Sequence, residues 1–483
     1  MLQKIEVKRE ANFIAGTWAG ADSGATISVN DPATGETIGT VPNCGRNETR
    51  RAIEAAAAAQ PSWAAKTAAE RAEVLHTLAG LIRDHREELA LLLTTEQGKP
   101  LAEARGEVNF SAAYVQWFAE EARRVYGDII PSPWPNRQIL VRKQPVGVVG
   151  AITPWNFPSS MIARKLGPAL AVGCAIVIKP ASQTPYSGLA WGVLAEKAGV
   201  PPGIVSVLTG SATEIGGELT GNPLVRKISF TGSTEVGKKL LAQGAATVKR
   251  MSMELGGNAP FLVFDDADLD RAVEGAITAK YRNSGQTCVS TNRFYVQSGI
   301  YEAFAGKLAM AAAQLTVGDG RDQGVQQGPL IDQRAVAKVE EHIADATAKG
   351  GTILTGGKRH PLGGTFFEPT VIRDATQQMT VARDETFGPL SPIFRFESDE
   401  EGVRMANDTE FGLACYFYTR DLARAFRVSE ALRYGLVGIN EGLITTEVAP
   451  FGGVKESGAG REGSKYGVED YLDVKYVCVG GLG

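Results

Sequence analysis

The hydrophobic and polar positions of the chain first follow a helical period. From Thr67 to Lys99, apolar residues recur at intervals of three and four among charged ones, which is typical of amphipathic helices on a domain surface. The alanine-rich segment 52–60 follows NETRR, a polar and charged stretch suited to the start of a helix. Both segments are therefore predicted to be helical.

Beyond residue 144 the pattern changes to short apolar runs that alternate with helical segments. Strands are predicted at QPVGVVGAI, CAIVIKP, GIVSVLT, VRKISFT and KRMSMEL, and helices at SSMIARKLGPALAVG, PYSGLAWGVLAEKAG and TEVGKKLLAQGA. Strands that alternate with helices over short linkers predict a parallel sheet with helices on both faces, an α/β fold. A second alternation runs from Asn258 to about Pro450, so two parallel-sheet domains are expected.

The residues at the ends of the predicted strands are the candidates for ligand binding, because such sheets bind ligands at the carboxyl ends of their strands. They are Trp155, Asn156, Lys179, Pro180, Ala181, Ser182, Gly232, Ser233, Glu254 and Leu255. The segment GSTEVG from Gly232 to Gly237 is similar to a phosphate-binding turn at a helix amino terminus. It lacks the full G-x-G-x-x-G pattern, and a plain turn with a Ser/Thr cap explains it equally well.

Composition and charge narrow the class of protein. The 483 residues suffice for roughly three domains of about 150 residues. The net charge of −4, with both signs interspersed, argues against nucleic acid or a membrane surface as the main partner. No apolar stretch reaches the roughly 20 residues that cross a bilayer, and the first residues lack the apolar core of a signal peptide. Five widely spaced cysteines fit the reducing cytoplasm.

One cysteine, Cys288 in NSGQTCVSTNR, has polar neighbours on both sides. Most free cysteines are small buried hydrophobes, but a thiol of pKa about 8.5 in a polar setting can act as a nucleophile. The four histidines, such as His342, lie on predicted surface helices or in a Gly/Pro-rich loop, so a Cys–His hydrolase is disfavoured. Glu254 is the better candidate base; its alternative is an ordinary solvated carboxylate at a strand end.

Six segments together resemble the aldehyde dehydrogenase family, in the order that the family shows them: MIARKLGPALAVGCAIVIKPASQTP, SFTGSTEVGKKL, MELGGNAPFLVFDDADLD, YRNSGQTCVSTNR, ETFGPLSP and PFGGVKESGAGREGSKYG. The resemblance covers nearly the whole chain. It is strongest toward members of the family that oxidise succinate semialdehyde with NADP.

The resemblance implies a catalytic role for three residues. Cys288 attacks the aldehyde carbon to give a thiohemiacetal, and loss of hydride to the nicotinamide leaves a thioester. Glu254 then activates the water that hydrolyses this thioester. The side-chain amide of Asn156 and the backbone N–H of Cys288 hold the oxyanion, and loss of one such donor typically costs about 10² to 10³ in rate. No metal is expected.

The resemblance also implies a cofactor site. Glu385 binds the nicotinamide ribose, Gly232 and Ser233 lie at the pyrophosphate, and Leu255 touches the nicotinamide. Three groups complete the set of expected cofactor contacts: Trp155 with Asn156, Phe387, and the run Lys179, Pro180, Ala181 and Ser182. An acidic residue at 182 would repel a 2′-phosphate, whereas serine leaves Lys179 free to pair with one. We therefore predict NADP as the preferred cofactor, with NAD also possible.

The same resemblance implies that Arg164, Arg282 and Thr445 bind a distal carboxylate on the aldehyde. A guanidinium fork suits a carboxylate better than lysine does, although most arginines lie on the surface. The expected reaction is oxidation of succinate semialdehyde, a step of 4-aminobutanoate breakdown. The alternatives are glutarate semialdehyde or another ω-carboxy aldehyde, a thioesterase built on Cys288 and Glu254, and a non-catalytic binding protein.

The domain boundaries follow from the change of pattern along the chain. A cofactor-binding domain is predicted at 1–122 and 144–254, and a catalytic domain at 255–452. An oligomerisation arm is predicted at 123–143, together with the tail at 453–483. This tail is strand-like and has an open edge, which predicts a homo-oligomer, either a dimer or a tetramer.

Overall fold

The computed structural model describes residues 5–482 of the chain. Its first part consists of four short strands and four helices: β1 (Asn12–Ile14), β2 (Thr17–Ala19), β3 (Thr26–Asn30), β4 (Thr37–Pro42), α1 (Arg46–Ala65), α2 (Ala68–Asp84), α3 (Arg86–Gln97) and α4 (Leu101–Glu121). The helices predicted within 52–60 and 67–99 are confirmed. Gly98 caps the end of helix α3, and its φ of +96° is the left-handed conformation that glycine adopts readily.

The middle of the chain alternates strands and helices. The elements are β5 (Asp128–Ile130), β6 (Arg137–Pro145), β7 (Val148–Ile152), α5 (Ser160–Val172), β8 (Ala175–Lys179), α6 (Pro185–Lys197), β9 (Val205–Val207), α7 (Ala212–Gly221), β10 (Val225–Thr231), α8 (Thr234–Ala245) and β11 (Arg250–Glu254). Every strand and helix predicted here is present. Helix α7 was not predicted, since its three glycines weaken the helical pattern.

The last part repeats this alternation. Its elements are β12 (Ala259–Val263), α9 (Leu269–Tyr281), β13 (Thr291–Gln297), α10 (Tyr301–Ala313), α11 (Gln333–Ala348), β14 (Thr352–Thr355), β15 (Thr370–Ala375), β16 (Leu390–Phe396), α12 (Asp399–Asn407), β17 (Ala414–Tyr418), α13 (Leu422–Ala431), β18 (Leu436–Ile439), β19 (Gly458–Ala459) and β20 (Leu472–Gly480). None of the helices in residues 5–482 combines the length and apolarity needed to cross a membrane.

The strands form two large sheets. The first has the order β19-β11-β10-β7-β8-β9-β1-β2, in which β11 to β9 run parallel and β19, β1 and β2 add antiparallel edges. The second has the order β14-β15-β16-β13-β12-β17-β18 and is parallel except for β14. Strands β7, β8 and β12 are buried almost throughout. The predicted α/β fold with two parallel sheets is confirmed.

A third sheet joins two segments that are distant in sequence. Strand β20 pairs antiparallel with β6 from Leu472 opposite Pro145 to Gly480 opposite Arg137, and β5 lies on the other side of β6. Ile129, Val474 and Tyr476 on these strands are 73%, 70% and 58% exposed. The sheet therefore presents large apolar side chains to solvent.

Candidate active site

The parallel register of the first sheet brings the predicted ligand-binding residues to one edge. Ile152 at the end of β7 is opposite Phe230 in β10 and Lys179 at the end of β8, and Thr231 is opposite Glu254. The loops that follow β7, β10 and β11 therefore begin side by side. They carry Asn156, Gly232, Ser233 and Leu255, the residues named from the sequence.

The loop that carries Cys288 has an unusual backbone. Asn283, Ser284 and Gly285 have φ values of +52°, +58° and +74°, and non-glycine residues rarely adopt this conformation. A side chain at Gly285 would lie 2.3 Å from the carbonyl oxygen of Gly388. The loop therefore packs closely against the segment between β15 and β16. Cys288 follows these three residues in the connection from α9 to β13.

Two cavities meet at Cys288. The first, which we call the arginine cavity, has a volume of about 270 Å³, and its walls include Arg164, Arg282, Thr445, Phe157, Phe451, Met161 and Cys288. The second, the strand-end cavity, has a volume of about 210 Å³ and is lined by Pro154, Trp155, Asn156, Met161, Thr231, Gly232, Ser233, Glu254, Leu255, Gly256, Cys288, Glu385 and Phe387. The thiol can therefore face a ligand from either side.

No histidine from residues 5–482 lines either cavity. His342 lies on α11, a helix with an exposed face as predicted, but its own side chain is buried, with Nδ1 3.0 Å from Thr386 Oγ1. Burial lowers the pKa of His342 to about 4, so the ring is neutral at pH 7. Burial raises the pKa of the Cys288 thiol to about 12, and the nearby charge of Arg164 acts in the opposite direction.

Glu254 is buried, with 3% of its surface exposed, so its interpretation as a solvated carboxylate is wrong. Burial, together with the negative charge of Glu462, raises the pKa of Glu254 well above its usual range. The Oε2 atom of Glu254 has no hydrogen-bond partner among the described residues. An uncompensated buried carboxylate of this kind is suited to exchange a proton with a ligand or water.

Arg164 and Arg282, predicted to form a pair, line the same cavity as Thr445. Three aromatic rings surround the guanidinium of Arg164, and their centroids lie 4.3 Å (Phe451), 5.0 Å (Tyr114) and 5.4 Å (Phe110) from its central carbon. The guanidinium of Arg282 lies 5.6 Å from the centroid of Phe157. These cation–π contacts hold positive charge in an apolar cavity.

Glu462 is the buried partner of two neighbouring cations. Its Oε1 accepts a hydrogen bond of 2.5 Å from Lys165 Nζ, and its Oε2 lies 3.5 Å from Arg164 Nη1. Lys165 also donates to Thr231 Oγ1 over 2.7 Å. Neither Glu462 nor Lys165 was predicted as a site residue, although both lie in segments that carry the family resemblance.

The side chain of Asn156 points toward the Cys288 loop. Its Nδ2 donates to the carbonyl oxygen of Gln286 over 3.0 Å, while its buried Oδ1 has no partner among residues 5–482. Asn156 lines the strand-end cavity beside Cys288. Its side-chain amide can therefore donate a hydrogen bond to the oxyanion of a carbon that is bonded to the Cys288 sulfur.

Most of the predicted cofactor contacts line the strand-end cavity. Burial raises the pKa of Glu385 to about 7, and its Oε1 accepts a 3.3 Å hydrogen bond from Gly257 N. Ser233 caps helix α8, so this helix points its amino terminus at the cavity wall. Phe387 and Trp155 form an edge-on ring pair with centroids 5.5 Å apart. The carboxylate is suited to bind a ribose, and the helix amino terminus is suited to bind a phosphate. The aromatic rings are suited to contact a nicotinamide ring.

The segment from Lys179, the last residue of β8, through Pro180 and Ala181 to Ser182 leads toward α6 and lies outside both cavities. The Nζ atom of Lys179 donates to the carbonyl oxygen of Pro180 over 3.0 Å, and burial lowers the pKa of Lys179 to about 8. Ser182 is half-buried. An ammonium and a hydroxyl at the end of a parallel strand are groups that can hold a phosphate.

Comparison with known proteins places the chain in a family. The sequence profile of the aldehyde dehydrogenase family matches residues 18–477. A glutarate-semialdehyde dehydrogenase of Pseudomonas aeruginosa is 62% identical over 100% of both chains. A succinate-semialdehyde dehydrogenase [NADP(+)] of Escherichia coli K12 is 59% identical over 98% of both. The crystal structure of a succinate-semialdehyde dehydrogenase from Burkholderia pseudomallei is 61% identical, with a TM-score of 0.98 over 98% of both chains. The chain belongs to the aldehyde dehydrogenase family.

Proposed function

We propose that this protein oxidises succinate semialdehyde to succinate and uses NADP as the hydride acceptor. One observation carries the proposal: two arginines and a threonine line a cavity that ends at Cys288. A guanidinium pair binds a carboxylate, and the thiol attacks a carbonyl carbon. The substrate is therefore an aldehyde that bears a carboxylate at its other end.

The roles of the side chains follow from their chemistry. The sulfur of Cys288 adds to the aldehyde carbon as its proton passes to the Glu254 carboxylate, which lines the same cavity and then returns the proton to solvent. The oxygen that becomes negative accepts hydrogen bonds from Asn156 Nδ2 and the backbone N–H of Cys288. NADP would supply the hydride acceptor when bound in the strand-end cavity, and loss of hydride from this carbon would leave the acyl group on Cys288 as a thioester. Glu254 takes a proton from water, the water oxygen attacks the thioester carbon, and the sulfur leaves as a thiolate.

The cofactor part of the proposal is supported by the groups around the strand-end cavity. Glu385 would hold the nicotinamide ribose, and Gly232 and Ser233 the pyrophosphate. Leu255, Phe387 and Trp155 would enclose the nicotinamide ring. The run from Lys179 through Pro180 and Ala181 to Ser182 would hold the adenosine ribose and its 2′-phosphate.

Glutarate semialdehyde is the second candidate substrate, and the Pseudomonas aeruginosa relative named for that activity favours it. One additional methylene changes binding in an apolar pocket by only about 1–3 kcal/mol. A thioesterase that works without a cofactor, and a non-catalytic protein, have no support among the relatives described.

The deciding experiment measures initial rates with succinate and glutarate semialdehydes, each with NADP and with NAD. We expect the largest kcat/KM for the four-carbon aldehyde with NADP. A larger value for the five-carbon aldehyde would transfer the assignment to glutarate semialdehyde, and no reduction of either cofactor would refute the proposal.

The proposal also extends to the assembly and its setting. The exposed apolar side chains of Ile129, Val474 and Tyr476 support a homo-oligomer, a dimer or tetramer formed through 123–143 and the tail at 453–483. The division into a cofactor domain (1–122 and 144–254) and a catalytic domain (255–452) is part of the same proposal. We assign the enzyme to the cytoplasm and to the breakdown of 4-aminobutanoate.

A further inference from the structure

Lys99 lies in the turn between α3 and α4 and lines neither cavity. Its side chain is fully buried, and its Nζ donates 2.7 Å hydrogen bonds to Glu107 Oε2 and to the carbonyl oxygen of Asn156. The same ammonium group lies 3.8 Å from the centroid of the Phe157 ring. Lys99 therefore contacts two consecutive residues of the loop after β7.

The second oxygen of Glu107 holds the far end of that loop. Glu107 Oε1 accepts hydrogen bonds from Ser159 N over 2.9 Å and from Ser160 N over 3.1 Å. These two N–H groups open helix α5, where backbone donors lack partners within the helix. The buried pair of Lys99 and Glu107 therefore forms hydrogen bonds with the loop after β7 on both sides of Phe157.

The loop after β7 is also hydrogen-bonded to the loop that carries Cys288. The carbonyl oxygen of Asn156, which Lys99 holds, also accepts a 3.0 Å hydrogen bond from Asn283 Nδ2. Asn156 Nδ2 donates to Gln286 O. Glu103, one turn before Glu107 on α4, accepts from Asn283 N over 2.8 Å. Helix α4 therefore supports both loops, and the position of the Asn156 amide relative to Cys288 depends on it.

A buried ion pair adds little stability compared with apolar residues of the same size, because desolvation offsets the attraction between the charges. A fixed donor, however, matters greatly to an oxyanion site, and displacement by about 1 Å can lower the rate by about 10². We propose that Lys99 and Glu107 are positioning residues that hold the Asn156 amide in place for the oxyanion at Cys288. This inference rests on the role proposed for Asn156.

The test uses p-nitrophenyl acetate, an ester whose reaction with Cys288 needs neither cofactor nor semialdehyde. The thiolate attacks the ester carbonyl, the C–O bond breaks, and p-nitrophenolate leaves with the electron pair, so each acylation event is visible. In Lys99→Met we expect the acylation rate constant of the full-length enzyme to fall about 10- to 100-fold. In Glu107→Gln, which keeps an acceptor oxygen but removes the charge, the acylation rate constant should fall less.

A double-mutant cycle separates positioning from general damage. When Lys99→Met is introduced into the Asn156→Ala variant, the acylation rate constant should fall by less than about twofold further. The reason is that the effects of substituting residues that act as a unit are not additive. If the two losses multiply, the inference is wrong. If Lys99→Met fails to fold, the same cycle with Glu107→Gln decides the question.

Lys249→Met is the matched control. Lys249 is also buried and donates to two carbonyl oxygens, those of Asn222 and Val225, over 2.6 Å each. It lies immediately before the first residue of β11, whereas Glu254 is the last residue of the same strand. This variant should lose stability without losing acylation rate; an equal loss of rate would overturn the inference. The outcome with p-nitrophenyl acetate is independent of which aldehyde the enzyme oxidises, so failure here and failure of the proposed substrate are distinguishable.

Discussion

The guanidinium of Arg164 lies 3.5 Å, Nη1 to Oε2, from the carboxylate of Glu462, in a buried wall of the arginine cavity. Glu462 also forms a salt bridge with Lys165. Its single negative charge is therefore shared by two cations and does not fully neutralise the charge of Arg164. The Nε atom of Arg164 is buried and has no partner among the described residues. Arg164 is thus held in one orientation and retains hydrogen-bonding capacity for a substrate carboxylate.

Arg282 offers the cleaner test of substrate binding, because it forms no salt bridge with the carboxylates of the described residues, whereas Arg164 contacts Glu462. Arg282→Met should raise the KM for succinate semialdehyde about 10- to 100-fold, since a hydrogen bond to a charged group is worth about 1.5–3 kcal/mol. Butanal, a neutral aldehyde of equal length, should be oxidised with little change. Steady-state kinetics with both aldehydes check this. An equal loss for both would contradict the proposed clamp.

Substitution of Arg164 should have a wider effect. Its charge stabilises ionised Cys288 and Glu462, so Arg164→Met should raise the pKa of both groups as well as weaken substrate binding. We expect the pH profile of kcat/KM for butanal to shift to higher pH in Arg164→Met, and by a smaller amount in Arg282→Met, because the charge of Arg282 acts less strongly on Cys288. Equal shifts in the two variants would contradict the dominant influence of Arg164 on the thiol.

Replacement of the nucleophile tests the proposed mechanism most directly. In Cys288→Ser the hydroxyl is a far weaker nucleophile than a thiolate, so turnover should fall to the background rate. The absorbance at 340 nm with NADP and succinate semialdehyde measures it. Cys415→Ser is the control, because Cys415 is buried and lines neither cavity. Parental turnover in Cys288→Ser would refute the mechanism.

Glu254 should make the stability of the protein depend on pH. Its pKa in the folded state is raised above the unfolded value of about 4.5, so the folded state binds a proton that the unfolded state releases. Stability is then lost as pH rises from about 5 toward the raised pKa. Glu254→Gln should therefore unfold at a higher temperature than the parent at pH 8, with a smaller difference at pH 5. Thermal unfolding at both pH values measures the change; an equal difference at both would contradict it.

Cofactor preference should respond to position 182. In Ser182→Glu a carboxylate faces the proposed 2′-phosphate, and opposed like charges cost several kcal/mol. We expect kcat/KM with NADP to fall about 100-fold or more, while the value with NAD holds or rises. Ser182→Ala, which removes the hydroxyl without adding charge, is the control. A preference for NADP that survives Ser182→Glu would show that the phosphate lies elsewhere.

The exposed face of the third sheet should matter for assembly. The double variant Val474→Asp/Tyr476→Asp places two charges on strand β20, at side chains that are 70% and 58% exposed in the single chain. Burial of charge without partners is costly, so the proposed oligomer should dissociate, and size-exclusion chromatography with light scattering measures the change in mass. Met310→Asp on α10 changes a side chain that is 62% exposed and serves as the control. An unchanged mass in the double variant would exclude this face as the interface.

Much of the fold could be predicted because its signals are local. Alternating apolar runs located strands such as β10 and β11, and their carboxyl ends identified Gly232 and Glu254. Errors arose where packing overrides the local pattern. Helix α7 contains glycines, yet it is helical because Ile215 and Leu219 are buried against neighbouring elements. His342 follows two glutamates, yet its face of α11 is buried against Thr386.

The candidate site divides in the same way. The sequence by itself determined the reacting types, a cysteine in a polar loop and a carboxylate after a strand, because these depend on neighbours a few residues away. Only the tertiary structure decided that Glu254 is desolvated, that Arg164 and Arg282 face one cavity, and that Lys99 and Glu107 lie beneath Asn156. Desolvation and charge pairing depend on residues far apart in the chain, so a charged side chain that looks like surface in the sequence becomes part of a site only when folding excludes water around it.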